Sequence, residues 1–405
     1  MATTLKAAAS TAATVVAATT ATSSSTTSSA KFIPRQTFDV SSSIVRSYFL
    51  GHHRGALSAM QRILSNISLI VECRDSRVPL TSTNPLLESS LAGRDRIIVY
   101  TKSDLAFDGE QSRFKEKQQL LLNKWHMARQ GKGSFPADGK QTATPGGLGN
   151  NTDVVFTDEG KAKSIGKLLE LIKQRAEHLD SLTGMRALVV GMPNAGKSTL
   201  LNAMRRVGMH LGKAAKTGGQ PGVTRKLGTP VRIIAEDEKR GIEQGVYVVD
   251  TPGVFIPYVG DVGAMLKLSL VGCVKDGVVP VETLADYLLY LVNQRDPRLY
   301  EEFSEPTNDV NEWLDRIALR NGKLLKGGEP AREQAATFVV QQWRKGLLGR
   351  FTLDEVNEET LRVWSRKGLP GGEDEPLSMN QARKREKEAR KQRSLAKRAA
   401  AADSG

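Results

Sequence analysis

Cysteine, aromatic residues and long apolar runs are all scarce in this sequence. The 405 residues include two cysteines, Cys73 and Cys273, which cannot form the disulfide framework of a small secreted scaffold. No apolar run approaches the ~18 residues of a membrane span, which argues against an integral membrane protein. Aromatic side chains make up 5% of the chain, whereas its 39% hydrophobic and 25% charged residues are ordinary for a globular protein. A chain of this length can form two domains with a sizeable core.

Acidic residues are missing from the first part of the chain. Before Asp39 the charged residues are Lys6, Lys31 and Arg35, in a tract rich in Ala, Thr, Ser and Val. An acid-free, hydroxyl-rich and weakly basic segment is typical of an organelle transit peptide, and threonines interrupt the apolar stretch that a secretory signal needs. We therefore predict that residues 1–38 are a transit-like, disordered segment outside the fold. A low-complexity tail without a targeting role is the alternative.

Basic residues outnumber acidic ones by 58 to 44, which gives a formal net charge of +14. Part of this surplus lies in residues 381–405, which contain nine basic and three acidic side chains. That segment has almost no apolar face and cannot pack as a core helix. A surplus of this size favours a polyanionic partner, such as nucleic acid, a ribosome or an anionic membrane surface. The sequence therefore predicts an RNA-binding, disordered basic tail, and a solvated charge run is the alternative.

Short apolar runs alternate with amphipathic segments in the first two thirds of the chain. The helical spacing between these runs predicts crossover helices, so the strands are expected to form a parallel, doubly wound α/β sheet. A stretch rich in Gly, Pro, Thr and Asn at 131–152 predicts an insertion loop. The predicted strands lie near residues 68–73, 96–100, 153–156, 186–190, 231–235 and 246–249.

Strand patterns stop after about residue 262. Apolar residues spaced by three and four positions at 284–292 and 333–347 predict helices instead. Glycines and prolines near residue 371 predict a linker to the basic tail. The predicted organisation is a transit-like segment, an α/β domain, a small all-helical domain, and a linker with a disordered tail. Their predicted bounds are 1–38, 39–262, 263–369 and 370–405.

Residues 191–198 fit the pattern G-x-x-x-x-G-K-[ST], and they lie between a predicted strand and a predicted helix. In such a loop the backbone N–H groups and the helix N-terminus bind phosphate oxygens. Lys197 is expected to contact the terminal phosphates, and Ser198 is expected to coordinate Mg²⁺. The predicted nucleotide contacts of this loop are Asn194, Ala195, Gly196, Lys197, Ser198 and Thr199.

Two further motifs complete a predicted Mg²⁺ and phosphate site. Asp250-Thr-Pro-Gly253 follows an apolar strand, so Asp250 can hold the metal ion through water and the Gly253 N–H can meet the terminal phosphate. Thr224 ends a Pro-Gly-Val-Thr segment between the two phosphate motifs, and it is a candidate second hydroxyl ligand. We therefore predict that Ser198, Thr224 and Asp250 bind Mg²⁺.

A base-reading motif, T-K-S-D, occupies residues 101–104 after a predicted strand. Asp104 can accept hydrogen bonds from the ring N–H and the exocyclic amine of guanine, a donor pair that adenine lacks. Lys102 can cover the face of the ring. Thr157, at the end of the next predicted strand, can bring a backbone N–H to the guanine carbonyl oxygen. The predicted ligands are therefore GTP and GDP, with Thr101, Lys102, Ser103, Asp104 and Thr157 around the base.

The order of these motifs is unusual, because the base reader Asp104 lies 87 positions before Gly191. GTPases generally have the phosphate loop first and the base reader last. A circular permutation keeps the same sheet and opens the chain elsewhere. The segment after Gly253 then leads directly into the predicted C-terminal helices, so GTP hydrolysis can reorient them.

This arrangement resembles the circularly permuted ribosome-assembly GTPases of the YlqF type, including their mitochondrial GTPase 1 branch. The sequences Y-F-L-G-H at 48–52, D-S-R-V-P at 75–79 and R-K-G-L-L-G-R at 344–350 are similar to the family elements W-F-P-G-H, D-A-R-x-P and R-K-G-x-L-G. The resemblance covers about residues 44–351. Thr101 stands where the family's base reader has Asn, and Leu50 and His53 depart from the opening motif.

The resemblance implies GTP hydrolysis that is coupled to late assembly of the large ribosomal subunit. With a transit-like N-terminus, the partner would be the RNA and proteins of the mitochondrial large subunit. The location would be the mitochondrial matrix or the matrix face of the inner membrane, where any membrane contact is expected to be peripheral. A GTP-binding assembly scaffold with negligible hydrolysis is the alternative.

Val254 follows the D-x-x-G motif at a position where many GTPases have a polar residue that orients the attacking water. Valine cannot form that hydrogen bond, so slow intrinsic turnover is expected. His52 matches the family's proposed catalytic histidine, and an imidazole can orient water or pass a proton near neutral pH. Asn194 is the other candidate, because related GTPases use this asparagine to hold a K⁺ ion. His52 and Lys197 are thus the predicted catalytic residues; a helix-start or RNA-facing histidine is the alternative for His52.

Overall fold

The computed structural model describes residues 32–39, 44, 51–108, 112–130, 152–177, 179, 183–218, 224, 227–256, 259, 261–366, 381, 384, 387, 388 and 391. For residues 51, 52, 112 and 366 it describes the backbone alone. Most of the predicted transit-like segment, of the insertion loop and of the basic tail therefore lies outside the described residues.

A six-stranded sheet forms the centre of the described chain, in the spatial order β3-β2-β1-β4-β6-β5. The first five strands of this order are parallel. The predicted α/β fold is confirmed, and each predicted strand is present within two residues of its expected bounds. The strands are β1 (Leu69–Asp75), β2 (Arg96–Thr101), β3 (Thr152–Phe156), β4 (Met185–Gly191), β5 (Val231–Ile234) and β6 (Val246–Asp250).

The edge strand β5 differs from the parallel arrangement that the sequence predicts. It pairs antiparallel with β6, and Val231 lies opposite Val248. The connection between the two strands contains a short 3-10 turn at Glu238–Arg240 and no crossover helix. Parallel neighbours need a crossover connection, so strands joined in this direct way run antiparallel.

Helices cover both faces of the sheet, which is why the central strands β1 and β2 are buried along their whole length. Leu169 and Leu200 belong to helices that pack on one face, and Met60 and Trp125 belong to helices that pack on the other. Burial of each such side chain contributes about 1.5–3 kcal/mol. The helices are α1 (Gly51–Ile63), α2 (Pro85–Ser90), α3 (Ser112–Arg129), α4 (Ala162–Glu177) and α5 (Lys197–Met209).

The chain after β6 is helical, as the spacing of its apolar residues predicts. The central side chains of this region include Trp313, Trp343 and Tyr300, and the same apolar cluster reaches Met192 and Phe255 in loops at the edge of the sheet. The helical part therefore packs directly on the loops that follow the strands. Its helices are α6 (Val262–Leu270), α7 (Val281–Arg295), α8 (Val310–Arg320), α9 (Arg332–Arg344) and α10 (Glu358–Arg366). The domain bounds given above stay predictions.

Five residues of the basic tail are described, and they are helical and exposed. At these positions the helix differs from the predicted disorder, because the lysines, arginines, glutamates and alanines of this segment are good helix formers. Within the described part of the chain, none of the helices has the length and apolar character needed to cross a membrane.

Candidate active site

The carboxyl ends of four neighbouring parallel strands meet at one edge of the sheet. The last residues of these strands are Asp75 in β1, Thr101 in β2, Gly191 in β4 and Asp250 in β6. In open α/β sheets this edge is where ligands bind. The phosphate, metal and base motifs predicted from the sequence all begin here.

The loop between β4 and α5 has the backbone shape of a phosphate loop. Asn194 and Gly196 have positive φ angles of 55° and 82°, and α5 begins at Lys197. The Nζ atom of Lys197 is buried and donates a hydrogen bond of 2.7 Å to the carbonyl oxygen of Met192 in the same loop. Burial lowers the pKa of the Lys197 ammonium group. Phosphate oxygens bound at this loop would supply the negative charge that stabilises the protonated form of Lys197.

The three predicted metal ligands lie together. Ser198 Oγ donates to Asp250 Oδ2 at 2.6 Å and lies 3.2 Å from Thr224 Oγ1. The second carboxylate oxygen of Asp250, Oδ1, is buried and has no hydrogen-bond partner among the described residues. Burial raises the pKa of the Asp250 carboxyl group. Two hydroxyl oxygens and a carboxylate with a free buried oxygen fit Mg²⁺, which prefers hard oxygen ligands. Bound there, Mg²⁺ would neutralise charge on the phosphate oxygens.

The D-x-x-G segment after β6 lies against the phosphate loop. A Cβ atom at Gly253 would be 2.5 Å from the Cα atom of Pro193, so this approach requires glycine. The Val254 N–H donates to the carbonyl oxygen of Gly191 at 3.2 Å, and Asn84 Nδ2 donates to the carbonyl oxygen of Val254 at 2.8 Å. These contacts hold the D-x-x-G segment against the phosphate loop, and the contact of the Gly253 N–H with the terminal phosphate stays a prediction.

His53 also contacts this segment, although sequence reasoning noted it solely as a departure from a motif. It is buried in α1, and its Nδ1 atom lies 2.9 Å from the carbonyl oxygen of Gly253. The G-H-H sequence at residues 51–53 is the signal that could have drawn attention to it. The neighbouring His52 belongs to the same helix, but its side chain lies outside the described residues. Its catalytic role therefore stays a prediction.

Hydrogen bonds hold the base-reading loop against the phosphate loop. Lys102 Nζ donates to the carbonyl oxygen of Asn194 at 2.6 Å and to Asp75 Oδ2 at 2.9 Å. Thr101 Oγ1 donates to the carbonyl oxygen of Ala195 at 2.9 Å. Asp104 is partly exposed, whereas Ser103 and Ala195 are buried and Thr199 is exposed. Lys102 and Asp104 are both partly exposed, and their contact with a base stays a prediction.

Thr157 follows the last residue of β3 and lies next to the base-reading loop. It is buried, and its N–H donates to the carbonyl oxygen of Tyr100 at 2.8 Å. Its own carbonyl oxygen accepts a hydrogen bond of 3.1 Å from the N–H of Ser103. Parallel pairing of β2 and β3 therefore uses the Thr157 N–H, and the expected contact between a backbone N–H at this strand end and the guanine carbonyl oxygen stays a prediction. The carbonyl oxygen of Thr157 thus holds the base-reading loop through the N–H of Ser103.

The D-S-R-V-P motif connects the base reader to the helical part of the chain. Both carboxylate oxygens of Asp75 accept hydrogen bonds from Arg77, at 3.0 and 2.8 Å. Burial alone would raise the pKa of Asp75, but the charges of Arg77 and Lys102 hold that pKa below its usual range. The Arg77 guanidinium group lies 5.1 Å from the centre of the Trp343 ring in α9, a cation–π distance.

A second connection runs through the phosphate loop. Asn194 Nδ2 donates to the carbonyl oxygen of Gly272, just after α6, at 2.7 Å. Arg344, from the R-K-G-L-L-G-R motif, donates to the carbonyl oxygens of Leu270 and Ser269, both at 2.9 Å. The end of α6 is thus hydrogen-bonded to the phosphate loop on one side and to the end of α9 on the other.

Known proteins share this sequence pattern. The family model of 50S ribosome-binding GTPases matches residues 186–323, which include the phosphate loop and the D-x-x-G segment. Mitochondrial GTPase 1 of Schizosaccharomyces pombe is 37% identical over 82% of this chain and 96% of its own length. Mitochondrial ribosome-associated GTPase 1 of Xenopus tropicalis is 32% identical over 79% of this chain and 98% of its own length.

Among solved structures, GNP-bound YlqF from T. maritima aligns with 75% of this chain and 99% of its own, at 23% sequence identity and a TM-score of 0.45. The identity and coverage of the mitochondrial relatives decide the assignment. The chain therefore belongs to the mitochondrial GTPase 1 branch of the circularly permuted GTPases, and it is an enzyme that binds guanine nucleotides and hydrolyses GTP.

Proposed function

We propose that this GTPase is a mitochondrial switch that binds ribosomal RNA and promotes assembly of the large ribosomal subunit. The observation that carries the proposal is the hydrogen bond between Asn194 of the phosphate loop and Gly272 at the end of α6. It gives the helical part a direct contact with the loop that senses phosphate. The matching family model is described as ribosome-binding, and the Xenopus relative is named ribosome-associated, which supports the ribosome as partner.

Each nucleotide group has a residue that fits it. Lys197 and the N–H groups of the phosphate loop would bind the β- and γ-phosphates, and the Gly253 N–H would meet the γ-phosphate. Ser198, Thr224 and Asp250 would hold Mg²⁺. Asp104 would accept from the guanine N–H groups while Lys102 covers the ring.

The hydrolytic water needs a group that Val254 does not supply. Val254 is buried, and its N–H and carbonyl oxygen are both used in hydrogen bonds. His52 is the residue next to His53, which touches the Gly253 carbonyl oxygen, so the start of α1 lies beside the D-x-x-G segment. This position supports His52 as the group that orients water. A K⁺ ion at Asn194 is the other candidate for the missing charge.

A switch requires that loss of the γ-phosphate alters the helical part. When the phosphate loop and the D-x-x-G segment shift, the Asn194–Gly272 contact shifts with them, and so does the end of α6. Ribosomal RNA that binds the helical part in one of the two arrangements would favour one nucleotide state. The basic tail would add sequence-independent affinity for RNA or, in a peripheral contact, for the anionic inner membrane.

GTP turnover by the purified protein, with and without mitochondrial large ribosomal subunits and in K⁺ or Na⁺ buffer, tests the proposal. A switch predicts that the subunits accelerate turnover. A scaffold predicts bound GTP with no acceleration in either salt. Acceleration that requires K⁺ would assign the catalytic charge to an ion at Asn194, and acceleration in both salts would favour His52.

A further inference from the structure

Glu159 is a carboxyl group at the nucleotide site that none of the roles above uses. It lies two residues after Thr157, and its Oε1 atom is buried with no hydrogen-bond partner among the described residues. A Cβ atom at Gly196, where φ is +82°, would lie 2.8 Å from this oxygen and 3.3 Å from Thr101 Oγ1. The oxygen is therefore in the space between the phosphate loop and the base reader, which the nucleoside must span to reach Asp104.

Guanine has an edge to which the two threonines beside the base reader, Thr101 and Thr157, offer no donor. Its N7 and O6 atoms are both hydrogen-bond acceptors. The single hydroxyl proton of Thr101 is directed to the carbonyl oxygens of Ala195 and Arg74, at 2.9 and 3.2 Å. The Thr157 N–H is occupied by the carbonyl oxygen of Tyr100. Neither threonine can therefore donate to this edge while the loops keep their arrangement.

The surroundings of Glu159 favour the form of a carboxyl group that can donate. Burial, together with the nearby carboxylates of Asp104, Asp75 and Asp158, raises the pKa of Glu159 to about 7, and the charge of Lys102 offsets part of this rise. A protonated carboxyl group has an O–H donor, whereas the ionised form can only accept. The charged groups that face Glu159 are Lys102 and Asp104 after β2, Asp75 at the end of β1, Asp158 in its own loop, and Arg206 of α5, whose Nη2 donates to the Glu159 carbonyl oxygen.

We propose that the Glu159 carboxyl group is a specificity-determining residue that donates its O–H to N7 of guanine. Asp104 reads the donor edge of the base, and Glu159 reads the acceptor edge on the opposite side of O6. The ionised carboxylate of Glu159 has no proton to donate. It would repel N7 and nearby phosphate oxygens, which are also acceptors, and would therefore weaken nucleotide binding. This inference rests on the proposed nucleotide site and is independent of the ribosome and of hydrolysis.

The test compares the affinities of the full-length wild-type protein and its variants for GTP and for 7-deaza-GTP, in which a C–H group replaces N7. Between pH 6 and pH 8 the wild type is expected to lose about tenfold in GTP affinity relative to Glu159→Gln, because the protonated fraction of a group with a pKa near 7 falls about tenfold over that range. Glu159→Gln keeps an N–H donor without a titration, so it reports the pH effect of the nucleotide itself. Glu170→Gln, which removes a carboxylate from α4, is the matched control and should behave as the wild type.

Glu159→Ala tests directly whether the Glu159 carboxyl group contacts N7 of guanine. It is expected to bind GTP more weakly at pH 6 and to lose the wild-type preference for GTP over 7-deaza-GTP. An alanine variant that binds GTP as tightly as the wild type, or that keeps the full preference, overturns the inference. If the alanine variant instead loses a preference for GTP over 2′-deoxy-GTP, Glu159 contacts the ribose. That result also overturns the inference. If the proposed function is wrong instead, GTP affinity at pH 6 still depends on Glu159, while ribosomal subunits fail to accelerate turnover.

Discussion

Lys102 and Arg77 bind the same carboxylate, that of Asp75, from the two sides of the nucleotide site. Lys102 reaches it from the base-reading loop at 2.9 Å, and Arg77 reaches it from the side of the helical part at 2.8 Å. Asp75 and Arg77 are both fully buried. Lys102, which we propose covers the base, is thus joined through one carboxylate to Arg77, which contacts Trp343 in α9.

The first prediction concerns the free energy of unfolding. Asp75→Asn removes the charge that Arg77 and Lys102 share, and loss of one member of a buried ion pair costs about 3–5 kcal/mol. Chemical denaturation of both proteins at neutral pH measures the difference. Asp315→Asn is the control, because the Asp315–Arg332 pair is largely exposed and should contribute less than about 1 kcal/mol. Equal changes in the free energy of unfolding would show that the buried ion pairs of Asp75 stabilise the fold no more than an exposed pair does.

The ion pairs of Asp75 also predict that the stability of the fold depends on pH in the acid range. The pKa of Asp75 is lower in the folded protein than in the unfolded chain, where it is about 3.9. The pair therefore contributes in full above about pH 4, and its contribution is lost as the pH falls through the folded-state pKa. The difference in stability between the wild type and Asp75→Asn should shrink as the pH is lowered below 4, whereas it should stay constant between pH 6 and 8.

The next prediction concerns affinity for nucleotide. Lys197→Ala removes the buried ammonium group at the phosphate loop, and a hydrogen bond to a charged group contributes about 1.5–3 kcal/mol, so GTP affinity should fall roughly 10-fold to 150-fold. Titration of a fluorescent GTP analogue measures this change. Lys326→Ala removes an exposed lysine far along the chain and should leave the affinity unchanged. Normal GTP binding by Lys197→Ala would falsify the assignment of the phosphate loop.

Much of the fold follows from local patterns in the sequence. The apolar runs that become β1, β2, β4 and β6 are short and rich in Val and Ile, so their state is fixed by burial on both faces of the sheet. The direction of β5 was missed because alternation of strands and helices suggested a parallel sheet throughout. Helix α2 was missed because six residues, capped by Asn84, give too short a pattern to show helical periodicity.

Sequence patterns do not reveal side chains whose role depends on contacts with residues far away in the chain. The phosphate and metal motifs are contiguous segments with a known geometry, and the structure does bring Ser198, Thr224 and Asp250 together. The positions of His53 and Glu159 depend on residues 200 and 37 positions away, Gly253 and Gly196. Buried charges in strands, such as Arg74 with Glu72, are equally invisible, since an isolated charge in a strand reads as a solvent-facing residue.

A prediction about the base tests Asp104. Asp104→Asn replaces an acceptor pair by an amide that can donate, so the variant should favour xanthosine triphosphate, whose additional carbonyl group replaces the guanine amine. GTP affinity is expected to fall by roughly tenfold or more, the amount set by a lost charged hydrogen bond. Competition between the two nucleotides measures the preference directly. Asp108→Asn, four residues further along, is the control and should keep the preference for GTP; an unchanged preference in Asp104→Asn would place the base elsewhere.

The last prediction concerns His53 and the sensing of the γ-phosphate. His53 Nδ1 lies 2.9 Å from the Gly253 carbonyl oxygen, and the N–H of Val254 in the same peptide group donates to Gly191. Both contacts orient the segment whose Gly253 N–H is expected to meet the γ-phosphate. His53→Leu removes the donor, and a neutral hydrogen bond contributes about 0.5–1.5 kcal/mol, so the ratio of GTP affinity to GDP affinity should fall about 2-fold to 10-fold.

His53→Asn is the conservative variant for this test, because the Asn Nδ2 group can donate from nearly the same position as the His Nδ1 group. It should restore most of the ratio of GTP to GDP affinity, whereas GDP affinity should be similar in all three proteins, because GDP lacks the phosphate that Gly253 meets. A purely structural role for His53 would lower the affinities for GTP and GDP together. Equal losses for both nucleotides in His53→Leu, without recovery in His53→Asn, would therefore show that His53 supports packing of α1 and does not orient Gly253.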